Sequence, residues 1–283
     1  MISLPSFFPA RPASLAGRAV FLALLLAFSA PAFADGPVHE LYPEAPDASP
    51  LPSAGRRLGR RAPRVAIIID DIGFDAALAE AFLSLEIPLT FSLLPHAPHR
   101  LDLARRAADA GVEIMLHLPM EPLEYPRVSP GPEALLSSQS GDRMAERLSA
   151  ALSRLPQVRG VNNHMGSRLT GLPAPIHRVL SVLRERDLYF VDSVTRPGSV
   201  CRAVARRLQI PFADRDVFLD HDLRPAAIDR QIEMLIRTAR AYGQAVGIGH
   251  PHAVTRDALE KARPRLMEQV QLVPASRIVQ TAG

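Results

Sequence analysis

The chain has a single cysteine, Cys201, among 283 residues, so no internal disulfide forms and a disulfide-built scaffold is excluded. No charge of one sign dominates: the formal net charge is +4, and loss of Arg11 and Arg18 with a cleaved leader brings it to +2. So balanced a chain has no strong field for nucleic acid, which is not expected as a partner. Long apolar runs are missing too. The longest, Ala19 to Ala30, falls well short of the roughly 20 residues that cross a bilayer.

That short run follows Arg11 and Arg18 and precedes Pro31-Ala-Phe-Ala34, a small-x-small site ahead of Asp35. A basic start, an apolar core and such a site read as a secretory signal peptide over residues 1–34, with cleavage after Ala34. The expected location is the periplasm, with no transmembrane anchor left after cleavage. Residues 35–63 carry Pro, Ala, Gly and the cluster Arg56, Arg57, Arg60 and Arg61 without periodicity, the composition of a linker.

From 64 to 283 the pattern changes to that of a folded domain. Val65-Ala-Ile-Ile-Ile69 is a continuous, largely β-branched run, as in a buried parallel strand. Further strand candidates are 89–94, 112–118, 160–164, 188–191, 210–213, 246–248 and 270–273. Helical patterns alternate with them, for instance Met144, Leu148, Ala151 and Leu152, or Ile228, Ile232, Leu235 and Ile236. Such alternation implies βαβ units around a parallel sheet, barrel-like in preference to doubly wound.

Polar residues fall where those strands end. Asp70 and Asp71 close the first, His117 the third, Asn163 and His164 the fourth, Asp192 the fifth, while His250 and His252 follow Ile248-Gly249. In parallel α/β folds these ends converge on the ligand-binding face. The donors are carboxylates and imidazoles, a set suited to Zn, Mn, Fe, Co or Ni, with Zn the expectation for a hydrolytic site. Because side chains alternate along a strand, Asp70 and Asp71 are expected to point in different directions, one toward a cation and one toward water. Asp220-His221-Asp222 reads as a solvated loop, and 127–141 as a loop over the pocket.

Six segments carry a resemblance: Ile68-Ile-Asp-Asp-Ile-Gly-Phe74, Thr90-Phe-Ser-Leu-Leu-Pro-His96, Glu113-Ile-Met-Leu-His-Leu-Pro-Met-Glu121, Gly160-Val-Asn-Asn-His-Met-Gly-Ser167, Phe190-Val-Asp-Ser193 and Gly247-Ile-Gly-His-Pro-His252. Through them the chain resembles the divergent polysaccharide deacetylases, the YibQ-like branch of the NodB-homology carbohydrate esterases. The resemblance implies a distorted (β/α)7 barrel and metal-assisted removal of acetyl groups from sugars. It implies Asp70 as base, Asp71 and His117 as metal ligands, and His250 as acid. The family's second metal histidine has no counterpart four residues past His117, where Glu121 stands, so the third ligand is Glu121 or, preferably, His164. The family's Arg-x-Pro motif is replaced by Asn162-Asn163-His164, its Asp-x-x-Asp-Trp motif is reduced to Asp192, and the chain has no tryptophan.

Two functions compete on this evidence. One is an exported, zinc-dependent deacetylase acting on peptidoglycan or another polysaccharide, with Glu121, Asn163, Asp192 and His252 around its pocket. The other is a glycan-binding or envelope-assembly protein that keeps the metal pocket but not turnover.

Overall fold

The computed structural model describes residues 62–281; the signal-peptide segment and all but the end of the linker lie outside the described residues. The elements alternate as the hydrophobic pattern requires. In chain order they are β1 (Arg64–Ile72), α1 (Ala76–Leu83), β2 (Thr90–Leu93), α2 (Arg100–Asp109), β3 (Glu113–Met120), α3 (Gly141–Arg154), β4 (Gly160–Met165) and α4 (Pro173–Glu185). They continue with β5 (Tyr189–Asp192), α5 (Cys201–Leu208), β6 (Phe212–Asp214), β7 (Val217–Phe218), α6 (Pro225–Tyr242), β8 (Gln244–Gly249), α7 (Ala253–Gln269) and β9 (Gln271–Leu272). No described helix is long and apolar enough to cross a membrane.

All strand pairs are parallel, in the order β6-β5-β4-β3-β2-β1-β8-β7, with β9 added beside β1. The sheet curls into an open barrel whose two edges, β6 and β7, are consecutive in sequence. The link between them reaches both sides: Arg215 N donates to Asp192 O and Asp216 N to Val246 O, each at 2.9 Å. Strand β7 has only two residues, too few for a periodic signal, and the sequence pattern misses it.

The sheet has two apolar faces. Ile67, Ile69, Leu116, Val161 and Phe190 belong to the large core packed against the helices, while Ala66, Ile68, Met115, Val191, Val246 and Ile248 fill the inside of the curl. Along a strand every second residue shares a face, so the inner series runs on into polar residues. Ala66 and Ile68 lead to Asp70, Met115 leads to His117, Val191 to Ser193, and Val246 and Ile248 to His250. The apolar plug closes the base of the curl and the polar residues crown it at the C-terminal ends of the strands.

Candidate metal centre and acid–base site

Asp71 reaches the site by breaking the alternation. Ile69 pairs with Phe91 and Ile72 with Leu93, so β1 uses one more residue than β2 over that step. The extra residue forms a β-bulge, and Asp71 takes φ +55. The expectation that the two aspartates point apart is thereby corrected: both carboxylates face one imidazole. Asp71 Oδ1 lies 3.2 Å from His117 Nε2, and Asp70 Oδ1 lies 3.7 Å from His117 Nδ1. Two further non-glycine residues at strand exits have positive φ, Met165 (+53) at the end of β4 and Val194 (+51) after β5. Each such residue costs about 1–3 kcal/mol, and such strain gathers where function demands a geometry.

His164 completes a triangle. Its Nδ1 is 3.0 Å from Asp71 Oδ1 and 3.1 Å from His117 Nε2, and all three residues are buried. Donors bound at 2.0–2.1 Å to a tetrahedral Zn lie ~3.3 Å apart, so the triangle has the right size for a cation. The donor chemistry agrees, since one carboxylate and two imidazoles converge there. Three protein donors leave a coordination position for water, the pattern of catalytic zinc sites.

Asn162 fixes the orientation of this centre. Its Oδ1 accepts from His117 Nδ1 at 2.8 Å and from Ser92 Oγ at 2.6 Å, while its Nδ2 donates to Asp70 Oδ1 at 2.7 Å and Ser193 Oγ at 3.3 Å. All four hydrogen-bonding positions of the amide are filled. The proton on His117 Nδ1 leaves Nε2 with its lone pair toward the triangle, the outer-shell arrangement that sets a metal-binding tautomer. The sequence pattern places Asn163 at the pocket and gives the neighbouring Asn162 no role. The signal was available: Asn162 shares its strand face with His164, two residues on.

Asp70 and His250 face one another across a cavity of about 50 Å³ that His117, His164, Arg215 and Phe218 also line. Burial raises the Asp70 carboxyl above its ordinary value, against the opposing pull of His117, His250 and the Asn162 hydrogen bond. Burial alone would lower the pKa of His250, but Asp220, with Asp71 and Asp70 behind it, raises it to about 9. Asp220 is fully committed: Oδ1 is 2.9 Å from His250 Nδ1, and Oδ2 accepts from His250 N at 2.6 Å and Thr255 Oγ1 at 2.8 Å. Burial pushes Asp220 up and His250 more than offsets it, leaving its carboxyl below the ordinary value. Reading 220–222 as a solvated loop therefore needs correction at its first residue: Asp220 is buried beneath His250, and Asp222, paired with Arg224, fits the solvated reading.

Other expected pocket residues are placed differently. Glu121 is a tie between loops, accepting from Ser137 N and pairing with Arg168 at 3.2 Å, and it is not part of the donor triangle. Asp192 holds the β5–α5 turn through Val194 N at 2.8 Å and Ser199 Oγ at 2.5 Å and does not line the cavity. His252 precedes α7, its ring 6.3 Å from that of His250, and it too is outside the lining. Asn163 does line the cavity, and its amide braces the backbone, accepting from Ser193 N at 2.9 Å and donating to Met165 O at 2.8 Å. The loop at 127–141 contributes nothing to the lining. Its Leu135 is buried and bonds back to Pro119 O and Glu121 N, which folds the loop onto β3.

A curled parallel α/β barrel with a buried Asp/His/His triangle at its C-terminal rim defines a carbohydrate-deacetylase-like fold with a candidate metal site. The chain belongs to the divergent polysaccharide deacetylase family, which it matches over residues 67–279. The uncharacterized protein YibQ of Escherichia coli (strain K12) is 32% identical over 216 residues, 76% of this chain and 67% of YibQ. An uncharacterized Haemophilus influenzae protein is 31% identical over 210 residues, 74% of each chain. Among solved structures, uncharacterized protein ATU2773 from Agrobacterium tumefaciens C58 superposes with a TM-score of 0.74 at 27% identity, covering 78% of this chain and 91% of that one. A peptidoglycan N-acetylglucosamine deacetylase shares the fold with a TM-score of 0.51 at 15% identity, over 78% of this chain and 90% of that chain.

Proposed function

We infer that this protein is an exported, metal-dependent hydrolase that removes acetyl groups from a cell-envelope glycan, peptidoglycan or a similar polysaccharide. The observation that carries this reading is the meeting of the Asp71–His117–His164 triangle with Asp70 and His250 around one small cavity. Family membership supports the substrate class.

Asp71, His117 and His164 would hold the ion, with zinc the expected metal. When bound, it supplies Lewis acidity and lowers the pKa of water to about 7. Asp70 takes the proton from the attacking water. Its burial favours this, because a carboxyl raised above its usual range is a stronger base at neutral pH. His250 carries a proton near neutrality and delivers it to the leaving nitrogen or oxygen, with Asp220 holding the ring through Nδ1 so that Nε2 is the donating atom. Asn162 keeps base and ligand in register. The cavity, about 50 Å³ and open to one side, suits an acyl group with the sugar outside it. Export rests on the signal-peptide pattern of residues 1–34, and the domain is taken as 64–283 with 35–63 as its linker.

The test is acetate release by the zinc-loaded full chain from N-acetylated peptidoglycan and O-acetylated polysaccharides, beside Asp70→Asn. Release that Asp70→Asn abolishes, with zinc content unchanged, supports the reading. Zinc and glycan binding without release would put the envelope-assembly reading in its place.

A further inference from the structure

Arg215, on the link between the two edge strands, lines the cavity alongside Asp70 and His250. Two of its three guanidinium nitrogens are committed to backbone: Nε donates to Ser193 O at 2.8 Å and Nη2 to Val194 O at 3.1 Å. The ring of Phe218, another lining residue, lies 5.0 Å from the guanidinium carbon. The remaining nitrogen, Nη1, makes no hydrogen bond with a described residue.

The strained segment after β5 is what holds this arginine. Val194 is β-branched, a poor choice for φ +51, yet in that conformation the successive carbonyls of Ser193 and Val194 both accept from Arg215. The segment is pinned from the far side as well, since Ser193 N donates to Asn163 Oδ1 at 2.9 Å and Val194 N to Asp192 Oδ1 at 2.8 Å. Carbonyls satisfy the donors but carry no net charge, and Asp192, Asp70 and Asp216 attract the guanidinium without a hydrogen bond to it among the described residues. The result is a preorganised cation lining the cavity with Nη1 uncommitted, and such a group meets an anion without losing side-chain freedom.

We propose that Arg215 is the carboxylate-binding group of the cleft, holding through Nη1 either the acyl carboxylate released by hydrolysis or the carboxylate of an acidic sugar. The inference deepens the hydrolase reading and rests on it for the first of these two sources. Arg215 would set specificity and product release, while Asp70 and His250 perform the proton transfers.

The experiment is calorimetric titration of the zinc-loaded full chain with acetate and, separately, with glucuronate. Wild type is expected to bind at least one of them, and Arg215→Gln to weaken that binding about 10- to 100-fold with the melting temperature recorded alongside. Arg215→Lys keeps the charge but loses the planar fork, and an intermediate affinity is expected; it carries the test if the glutamine variant does not fold. Binding of acetate alone identifies the released acyl group, and binding of glucuronate alone an acidic sugar. Equal affinities in wild type and variants, or no binding of either probe, would overturn the proposal. Arg215-dependent binding in a chain that releases no acetate would keep this inference and remove the hydrolase reading. Acetate release with Arg215-independent binding would do the reverse.

Discussion

Asp220 grips His250 at two points, its Oδ1 2.9 Å from the ring Nδ1 and its Oδ2 2.6 Å from the backbone nitrogen. One carboxylate thus fixes the histidine's position, its tautomer and its charge. Thirty residues separate the two in sequence, and they meet because the β7 and β8 exits are neighbours in the sheet.

The first prediction concerns pH. In the chelator-treated full chain His250 is expected to titrate at about 9, and Asp220→Asn to lower that value markedly, because only the weaker pull of Asp71 and Asp70 then opposes burial. The raised His250 pKa contributes stability that is complete below about 6.5, declines as the pH rises and is gone above about 9. The depressed Asp220 pKa contributes stability above 3.8 that is lost as the pH falls through its folded value. The stability gap between wild type and variant should therefore be widest between those limits, near pH 4–6.5. Histidine NMR titration and urea unfolding at several pH values measure both effects, and an unmoved His250 would refute the pairing.

Metal content separates the donors from the tie. Asp71→Ala and His164→Ala are expected to abolish stoichiometric zinc, whereas Glu121→Ala keeps it, because Glu121 braces Ser137 and Arg168. Elemental analysis of the purified full chains decides, and zinc loss in Glu121→Ala would restore that residue as a ligand.

Asn162→Ala removes the bridge between Asp70 and His117. Zinc affinity is expected to fall about 10- to 100-fold, as for other outer-shell partners. Folding stability should fall by about 1–3 kcal/mol as buried donors and acceptors lose their partner. Competition with a chelator and chemical denaturation read the two effects separately.

Val194→Gly probes the strain. Relief of a β-branched residue at φ +51 outweighs the added chain entropy of glycine, so stability is expected to rise by up to about 1 kcal/mol. Denaturant midpoints check this. A loss of stability would mean that the Val194 side chain contributes more by packing than its backbone costs.

Much of the architecture was legible in the sequence. β-Branched runs such as 65–69 and period-3.6 faces such as Ile228, Ile232 and Leu235 specify strand and helix by local sterics and burial, and their alternation specifies a parallel sheet. The same period-2 rule that fills the inside of the curl with Ala66 and Ile68 points to Asp70, and Met115 points to His117. The placement of polar residues at the strand exits follows from covalent geometry.

What only the tertiary structure decided depends on partners distant in sequence or on departures from regular geometry. Asp71 joins Asp70 because a bulge costs backbone strain that no local pattern announces. Asp220 is buried and paired because β7, two residues long, lies against β8. His164, not Glu121, completes the triangle because β4 pairs with β3 in a register that sets His164 beside Pro119 and Asn162 beside His117. Sequence determines which face a side chain occupies, since that is fixed by the period of the strand. Which side chains meet across the curl is set by strand order, register and the few strained residues that bend the chain away from its period.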